Sequence, residues 1–398
     1  MKIVSIEFDK YKVFDSGPSD SGLQRLDIAP LTVLFGKNNS GKSAVARLPL
    51  LLLGGLACDD GRILPMEVSG QSFGANFLDI APGGDFFGKP RFKIHATSVI
   101  GELKVDVSLY IAGAFSVEDP PGIWSYSMLS PVRLDIAVPR VRHGPVEEFR
   151  GLLPSNPAFD SWRAEAKSLI DSMVHIGPLR SPIASAYSNE LFGDFDSRGE
   201  AAPQLLRTDN SLAELVGAWY QENLDGWRLS LQRDSASFAL RISRSARHSA
   251  NLSLSGEGLQ QVLPVVTHQY WRQLRGEGDF LDIVEQPELH LHPAAQAPLA
   301  DLFIDTATKT EGCTIVETNS EGFLLRLQRR VAEGVMDPDR LRLYFVKPME
   351  DHSELSGVKI EANGDLDWWP EGVFEEDFRE VAAIRRAQRA ALIEGRSK

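Results

Sequence analysis

An α/β fold carrying an antiparallel β-subdomain is what this 398-residue sequence predicts, on three observations. Residues 31–53, LTVLFGKNNSGKSAVARLPLLLL, join an apolar run, a glycine turn with a lysine, and a second apolar run. From residue 258 onward the pattern reads helix, buried strand, helix, strand, helix, strand, the alternation of an α/β sheet. In between, residues 101–112 and 132–136 alternate apolar and polar side chains, which suits antiparallel strands wetted on one face.

The elements follow in order. Val4, Ile6 and Phe8 alternate with polar residues and predict a half-buried first strand. The loop DSGPSDSG then leads to a second strand pair ending at LTVLF. An apolar helix follows the glycine turn, and Pro49 early in it removes a backbone donor, so a bend is expected there. DSWRAEAKSLIDSMV, 160–174, has helical spacing, and WRLSLQRDSASFALRIS, 227–243, reads as a β-hairpin with a polar turn. Phe374, Phe378, Val381, Ile384 and Leu392 fall near one face of a last helix packed on the core.

Composition narrows the function classes. With 43% hydrophobic and 24% charged residues the chain is ordinary globular material. A formal net charge of −13 should repel nucleic acid and anionic lipid, and no basic patch stands out. Arg385, Arg386 and Arg389 read as a solvated helix face. Cys58 and Cys313 are the only cysteines, in no metal or redox spacing, which fits a reducing cytosol. The N-terminus reads as a strand, not a secretory leader. The longest apolar run, Leu48 to Ala57, is about half of what crosses a bilayer, so the expected location is cytoplasmic.

Gly36 to Ser43, GKNNSGKS, satisfies G-x-x-x-x-G-K-[ST] between a buried strand and an apolar helix. Backbone N–H groups over Gly36, Asn38, Asn39, Ser40, Gly41, Lys42, Ser43 and Ala44 form a phosphate cradle at a helix N-terminus. Lys42 then reaches the β- and γ-phosphates, and the Ser43 hydroxyl binds Mg²⁺. A second apolar strand, FLDIVEQPE, ends in acids, and Glu285 fits the residue that holds the Mg²⁺ water shell. Upstream, Ser255, Gly256, Glu257 and Gly258 open another helix and form a second anion-binding end. Two cradles cannot easily hold one phosphate from the same side, whereas a head-to-tail dimer lets the second cradle of one copy close over the first of its twin.

LTVLFGKNNSGKS, LSGEGLQQVLPVV, DIVEQPELHLHP and TIVETNSEGFLLRLQRRVAEG together resemble the ABC-type ATPase heads related to SMC, RecF and OLD-like proteins. The chain is most similar to small stand-alone P-loop ATPases of bacterial phage-defence or toxin-like operons, and HIGPLRSP and GDLDWWPEGVF look like the same group. The resemblance implies an ABC-type head with ATP and Mg²⁺ as cofactors, Ser255 to Gly258 as a signature loop acting across the dimer, and Leu289 to His292 as the loop linking the two sites. It implies lobes at 1–100 and 251–398 flanking a β-rich and helical segment at 101–250. ATP over GTP follows from the resemblance alone.

Two positions depart from the family pattern. Gln286 stands where a glutamate polarises the attacking water; it can orient water but cannot take its proton. Asn319 stands where a histidine senses the γ-phosphate. Glu288 is the nearest alternative base, and Gln71 is a candidate metal contact. His290 and His292 lack a nearby third ligand for zinc, Arg180 reads as a loop anchor through carboxylate pairing, and Glu317 as a core-edge acid. About eighty residues follow Asn319, too few for an OLD-like nuclease domain. The leading expectation is an ATPase subunit that dimerises on ATP and controls a separate effector, such as a nuclease or toxin, in anti-phage defence. A RecF-like DNA clamp and a catalytically inactive ATP-binding scaffold stay open. A transporter subunit is disfavoured because the segment between the cradles is strand-rich.

Because losing a general base costs about 10²–10⁴ in rate, ATP turnover should run below about one per second. A phosphate-release assay should find that activity abolished by Lys42→Ala; faster turnover would mean the base is misassigned.

Overall fold

A six-stranded sheet forms the centre of the computed structural model, which describes residues 1–15, 22–84, 89–110, 122–130, 134–137, 149–189, 197–276 and 278–368. Its strands run in the order His175–Ile176, Leu281–Glu285, Cys313–Thr318, Leu31–Gly36, Leu341–Pro348, Ser353–Val358. The first five are parallel and the last pairs antiparallel. Strands covered on both faces read as near-continuous apolar runs, as LTVLF does.

Alternation along these strands sorts side chains between two cores. Leu34, Leu281, Ile283 and Ile315 join the core that holds the Lys42–Ala57 helix. Leu31, Val33, Phe35, Val284 and Val316 join the core built with the helices Leu263–Arg275, Pro293–Lys309 and Glu321–Ala332. Pro49 lies inside the Lys42–Ala57 helix, which continues to Ala57.

A second six-stranded sheet, fully antiparallel, is ordered Gln24–Asp27, Lys2–Asp9, Arg91–Ser98, Gly101–Tyr110, Gly122–Ser130, Leu134–Ala137. It shares its core with the Lys42–Ala57 and Asp160–Ser172 helices through Ile6, Phe92, Val105 and Leu52. The alternating strands expected at 101–112 and 132–136 appear as Gly101–Tyr110 and Leu134–Ala137; Ile111, Val132 and the apolar stripe from Phe374 to Leu392 lie outside the described residues. Residue 100 falls in a hairpin that pairs Ser98 with Gly101, so strands from both sides of the expected lobe boundary share one sheet. His175–Ile176, from the expected middle segment, likewise pairs into the central sheet. Backbone pairing, which composition does not reveal, is the reason.

The hairpin expected at 227–243 appears as Arg228–Arg233 paired with Ser237–Ser245. Tyr187–Ser188 and His248–Asn251 also pair with Ser237–Ser245. No helix among the described residues is long and apolar enough to cross a membrane.

One buried ion pair pins the Leu281–Glu285 strand to the helix behind it. Asp282 is fully buried, and Arg272 donates to it from Nε and Nη2 at 2.7 Å each. Val174 N donates at 2.8 Å, and His268 Nε2 lies 3.0 Å away. Removing one partner of such a pair strands the other charge in a dry core. Arg272→Met should therefore cost about 3 kcal/mol in urea denaturation. A loss below about 1 kcal/mol, the size of an exposed pair, would contradict this account.

Candidate functional site

The Leu31–Gly36 strand delivers the chain to the glycine loop, and the helix resumes at Lys42. Asn39 (φ 61°) and Gly41 (φ 100°) take left-handed backbone. A Cβ at Gly41 would also meet Val13 Cγ2 at 2.6 Å, so the turn requires glycine there. No side chain caps the helix and no acid occupies its first turn. Its first N–H groups are thus left for an external anion. Lys42 is 3% exposed, and its Nζ donates to Gly36 O at 3.0 Å and Lys37 O at 2.8 Å. Burial pulls its amine below the usual range, against Glu317 and Glu288. Ser40 Oγ is buried with no hydrogen-bond partner among the described residues, while Asn38 and Asn39 are exposed. Ala44 O accepts from Tyr11 OH at 3.4 Å.

Two acids lie beneath this helix. Glu285 and Glu317 end adjacent parallel strands in direct register, on the face that carries Leu281, Ile283 and Ile315. Ser43 and Arg47 are four residues apart and project from one side of the helix. Ser43 Oγ donates to Glu317 Oε2 at 2.6 Å. Arg47 donates to Glu285 Oε1 at 2.5 Å from Nε and to Oε2 at 2.7 Å from Nη2. His175 Nε2 adds a bond to Glu285 Oε1 at 2.6 Å. Burial favours the neutral acid at Glu285, but His175 and Arg47 together hold it below the carboxylate range. At Glu317, burial with Glu285 alongside raises the carboxyl despite the Ser43 bond. Sequence reasoning gave Arg47 and His175 no role; the spacing from Ser43 to Arg47 was the available signal.

The loop after Leu281–Glu285 carries the other expected chemistry. Gln286 takes φ 44°, an uncommon value for a non-glycine residue, and its N–H donates to Glu317 O at 2.7 Å. Its side-chain amide has no hydrogen bond to a described residue. Glu288 is 7% exposed; Oε1 accepts from Asn319 N at 2.7 Å, and Oε2 is buried with no partner among the described residues. Burial raises its carboxyl above the ordinary range. Asn319 Nδ2 donates to Asn38 Oδ1 at 3.0 Å, which ties the end of the Cys313–Thr318 strand to the glycine loop. Asn319 Oδ1 is also buried and unpartnered.

The second cradle is built differently from a serine-capped helix. Gly256 precedes a five-residue helix, Glu257–Gln261, and Ser255 Oγ donates to Leu252 O at 2.7 Å instead of capping it. A Cβ at Gly258 would lie 2.5 Å from His290 O, so this segment packs directly on the loop that follows Glu285. Arg180 braces the same junction: it donates to Gln261 O at 3.1 Å and to Glu285 O and Gln286 O at 2.9 Å each. Its anchoring thus runs through carbonyls, where carboxylate pairing was expected; burial pulls its guanidinium down to about 10. His290 Nδ1 lies 3.4 Å from Glu257, and His292 Nδ1 accepts from Ala294 N. The two histidines serve separate contacts, and no cluster of three metal-ligating side chains occurs among the described residues. Gln71 sits in a short hairpin, its Nε2 donating to Ser72 O at 3.0 Å. No hydrogen bond or ion pair among the described residues links 255–258 to 36–44.

No family model matches this sequence, and no curated protein matches it. Solved structures do. An SMC head bound to the C-winged helix domain of ScpA superposes with a TM-score of 0.54 at 13% identity, over 91% of this chain and 98% of that one. The SMC head domain from Thermotoga maritima gives 0.45 at 12%, over 90% and 100%. The Pyrococcus furiosus-derived SMC head with an extended coiled coil, bound to the ScpA C-terminal domain, gives 0.49 at 12%, over 96% and 99%. The protein has the α/β fold of the first of these SMC heads, with an antiparallel sheet attached.

Arg180 joins the second cradle to the strand-end loop, so its loss should loosen both. Arg180→Ala should cost roughly 3 kcal/mol, since it removes three charge-assisted bonds made by a buried guanidinium. Hydrogen exchange should rise together in 255–261 and 285–291; protection lost in one segment only would refute the brace.

Proposed function

We propose that the chain binds ATP with Mg²⁺ in the 36–44 loop, and that two copies close head to tail around the nucleotide and hydrolyse it slowly. What supports this reading is that the 36–44 loop and the 255–258 turn, the two expected anion-binding ends, share no hydrogen bond or ion pair among the described residues. Leu254, beside the second cradle, is 82% exposed, and Leu179, next to Arg180, is 78% exposed. Apolar groups exposed beside the 255–258 turn suit burial against a twin.

The residues present suit both ligands. Orphaned buried oxygens at Ser40 and Asn319 border the loop, and hydroxyl and carboxylate oxygens are the donors Mg²⁺ prefers. When bound, the cation would neutralise charge on the phosphates. Lys42 holds the β- and γ-phosphates, and Ser43 with a strand-end acid holds the metal. Gln286 orients water through its free amide, Glu288 is the proton acceptor, and Asn319 reads the γ-phosphate. Ser255, Gly256, Glu257 and Gly258 receive the partner copy's nucleotide.

The dimer passes its state to a separate protein. A nuclease or toxin effector in anti-phage defence is the partner class the motif resemblance suggests. The SMC fold likeness favours a second reading, a chromosome-maintenance clamp on DNA. A salt-sensitive, ATP-dependent shift of duplex DNA would select that reading.

Size-exclusion chromatography with ATP and Mg²⁺ should show a dimer or larger assembly. Ser255→Arg should bind nucleotide yet stay monomeric. Wild-type protein that remains a monomer at saturating ATP would contradict the proposal.

A further inference from the structure

We propose that Glu317, rather than Glu285, is the carboxylate that faces the divalent cation beside Ser43, while Arg47 and His175 keep Glu285 as a structural anion. This rests on the reading of 36–44 as a triphosphate site.

Glu285 is occupied. Its Oε1 accepts from Arg47 Nε and His175 Nε2, and its Oε2 accepts from Arg47 Nη2. A carboxylate offers about four lone-pair sites, so three are filled by nitrogen donors. A cation approaching the fourth would meet the Arg47 guanidinium at close range. Freeing Glu285 would in turn leave Arg47 without its carboxylate.

Glu317 is the opposite case. It is 3% exposed, and among the described residues only Ser43 hydrogen-bonds its carboxylate. A buried carboxylate is normally paired with a cation or coordinates a metal. Because Ser43 donates its proton to Glu317, both hydroxyl lone pairs remain for a cation. The strand order explains why this acid is the one at hand. Cys313–Thr318 lies between the Leu31–Gly36 and Leu281–Glu285 strands, so its last acid sits nearer the glycine loop. The geometry makes Glu317 part of the metal site and Glu285 the anchor of Arg47.

The test measures metal binding, not turnover. Mn²⁺ affinity is read by electron paramagnetic resonance in the presence of a nonhydrolysable ATP analogue, and analogue affinity is read separately in EDTA. Glu317→Gln keeps the Ser43 hydrogen bond and removes a buried charge, so its melting point should hold. It should weaken Mn²⁺ binding about tenfold or more and leave analogue binding in EDTA unchanged. Glu317→Asp, which keeps the charge on a shorter arm, should fall between. Glu285→Gln should retain Mn²⁺ and lower the melting point. Wild-type Mn²⁺ affinity in Glu317→Gln, or metal loss in Glu285→Gln alone, overturns the inference. Wild-type protein that takes up neither analogue nor Mn²⁺ overturns the nucleotide reading, and this inference with it.

Discussion

Two carboxylates placed opposite each other at the ends of neighbouring buried strands set the terms for the rest of the site. Glu285 and Glu317 share a register position and a face, and like charges so close in a dry setting repel strongly. The helix above them resolves the conflict unequally. Arg47, backed by His175, neutralises Glu285, whereas one turn earlier Ser43 gives Glu317 only a hydroxyl. Glu285 is therefore held as a carboxylate by direct bonds, whereas burial and its acidic neighbour raise the Glu317 carboxyl despite Ser43, Lys42 and Arg47. That asymmetry is built from helical spacing above and strand register below.

The same sheet positions the remaining groups. With Cys313–Thr318 beside the glycine-loop strand, Asn319 comes within hydrogen-bond reach of Asn38. Glu288 then hangs from the Asn319 backbone N–H, and Gln286 from the Glu317 carbonyl. Arg180 and the close approach of Gly258 to His290 fasten the second cradle to this loop. These contacts join the end of the Leu281–Glu285 strand to the 255–261 segment.

Much of the fold was legible because it rests on periodicity. The apolar run at 31–35, the alternation at 101–110 and the helix–strand series after 258 each match an observed element. Strand pairing was not legible. A hairpin at Ser98–Gly101 looks like any polar turn in the sequence, yet it merges segments that composition would separate. The site divides the same way. GKNNSGKS announced its turn and helix start, since glycine and asparagine are what left-handed backbone demands. Glu317 reads in the sequence only as a core-edge acid, because its register with Glu285 comes from the pairing of two successive strands and carries no sequence motif. Arg180 reads as an anchor, but its carbonyl partners sit at the end of the Glu257–Gln261 helix and of the Leu281–Glu285 strand, 81 and 105 residues away.

Mixing two defective proteins tests the shared-nucleotide account most directly. Lys42→Ala lacks a working loop and Ser255→Arg lacks a working second cradle, so neither should self-associate with an ATP analogue. Combined, they rebuild one intact composite site, and sedimentation should reveal a heterodimer that depends on the analogue. A mixture that sediments as monomers would contradict the claim that one copy's loop and its twin's cradle enclose the same triphosphate.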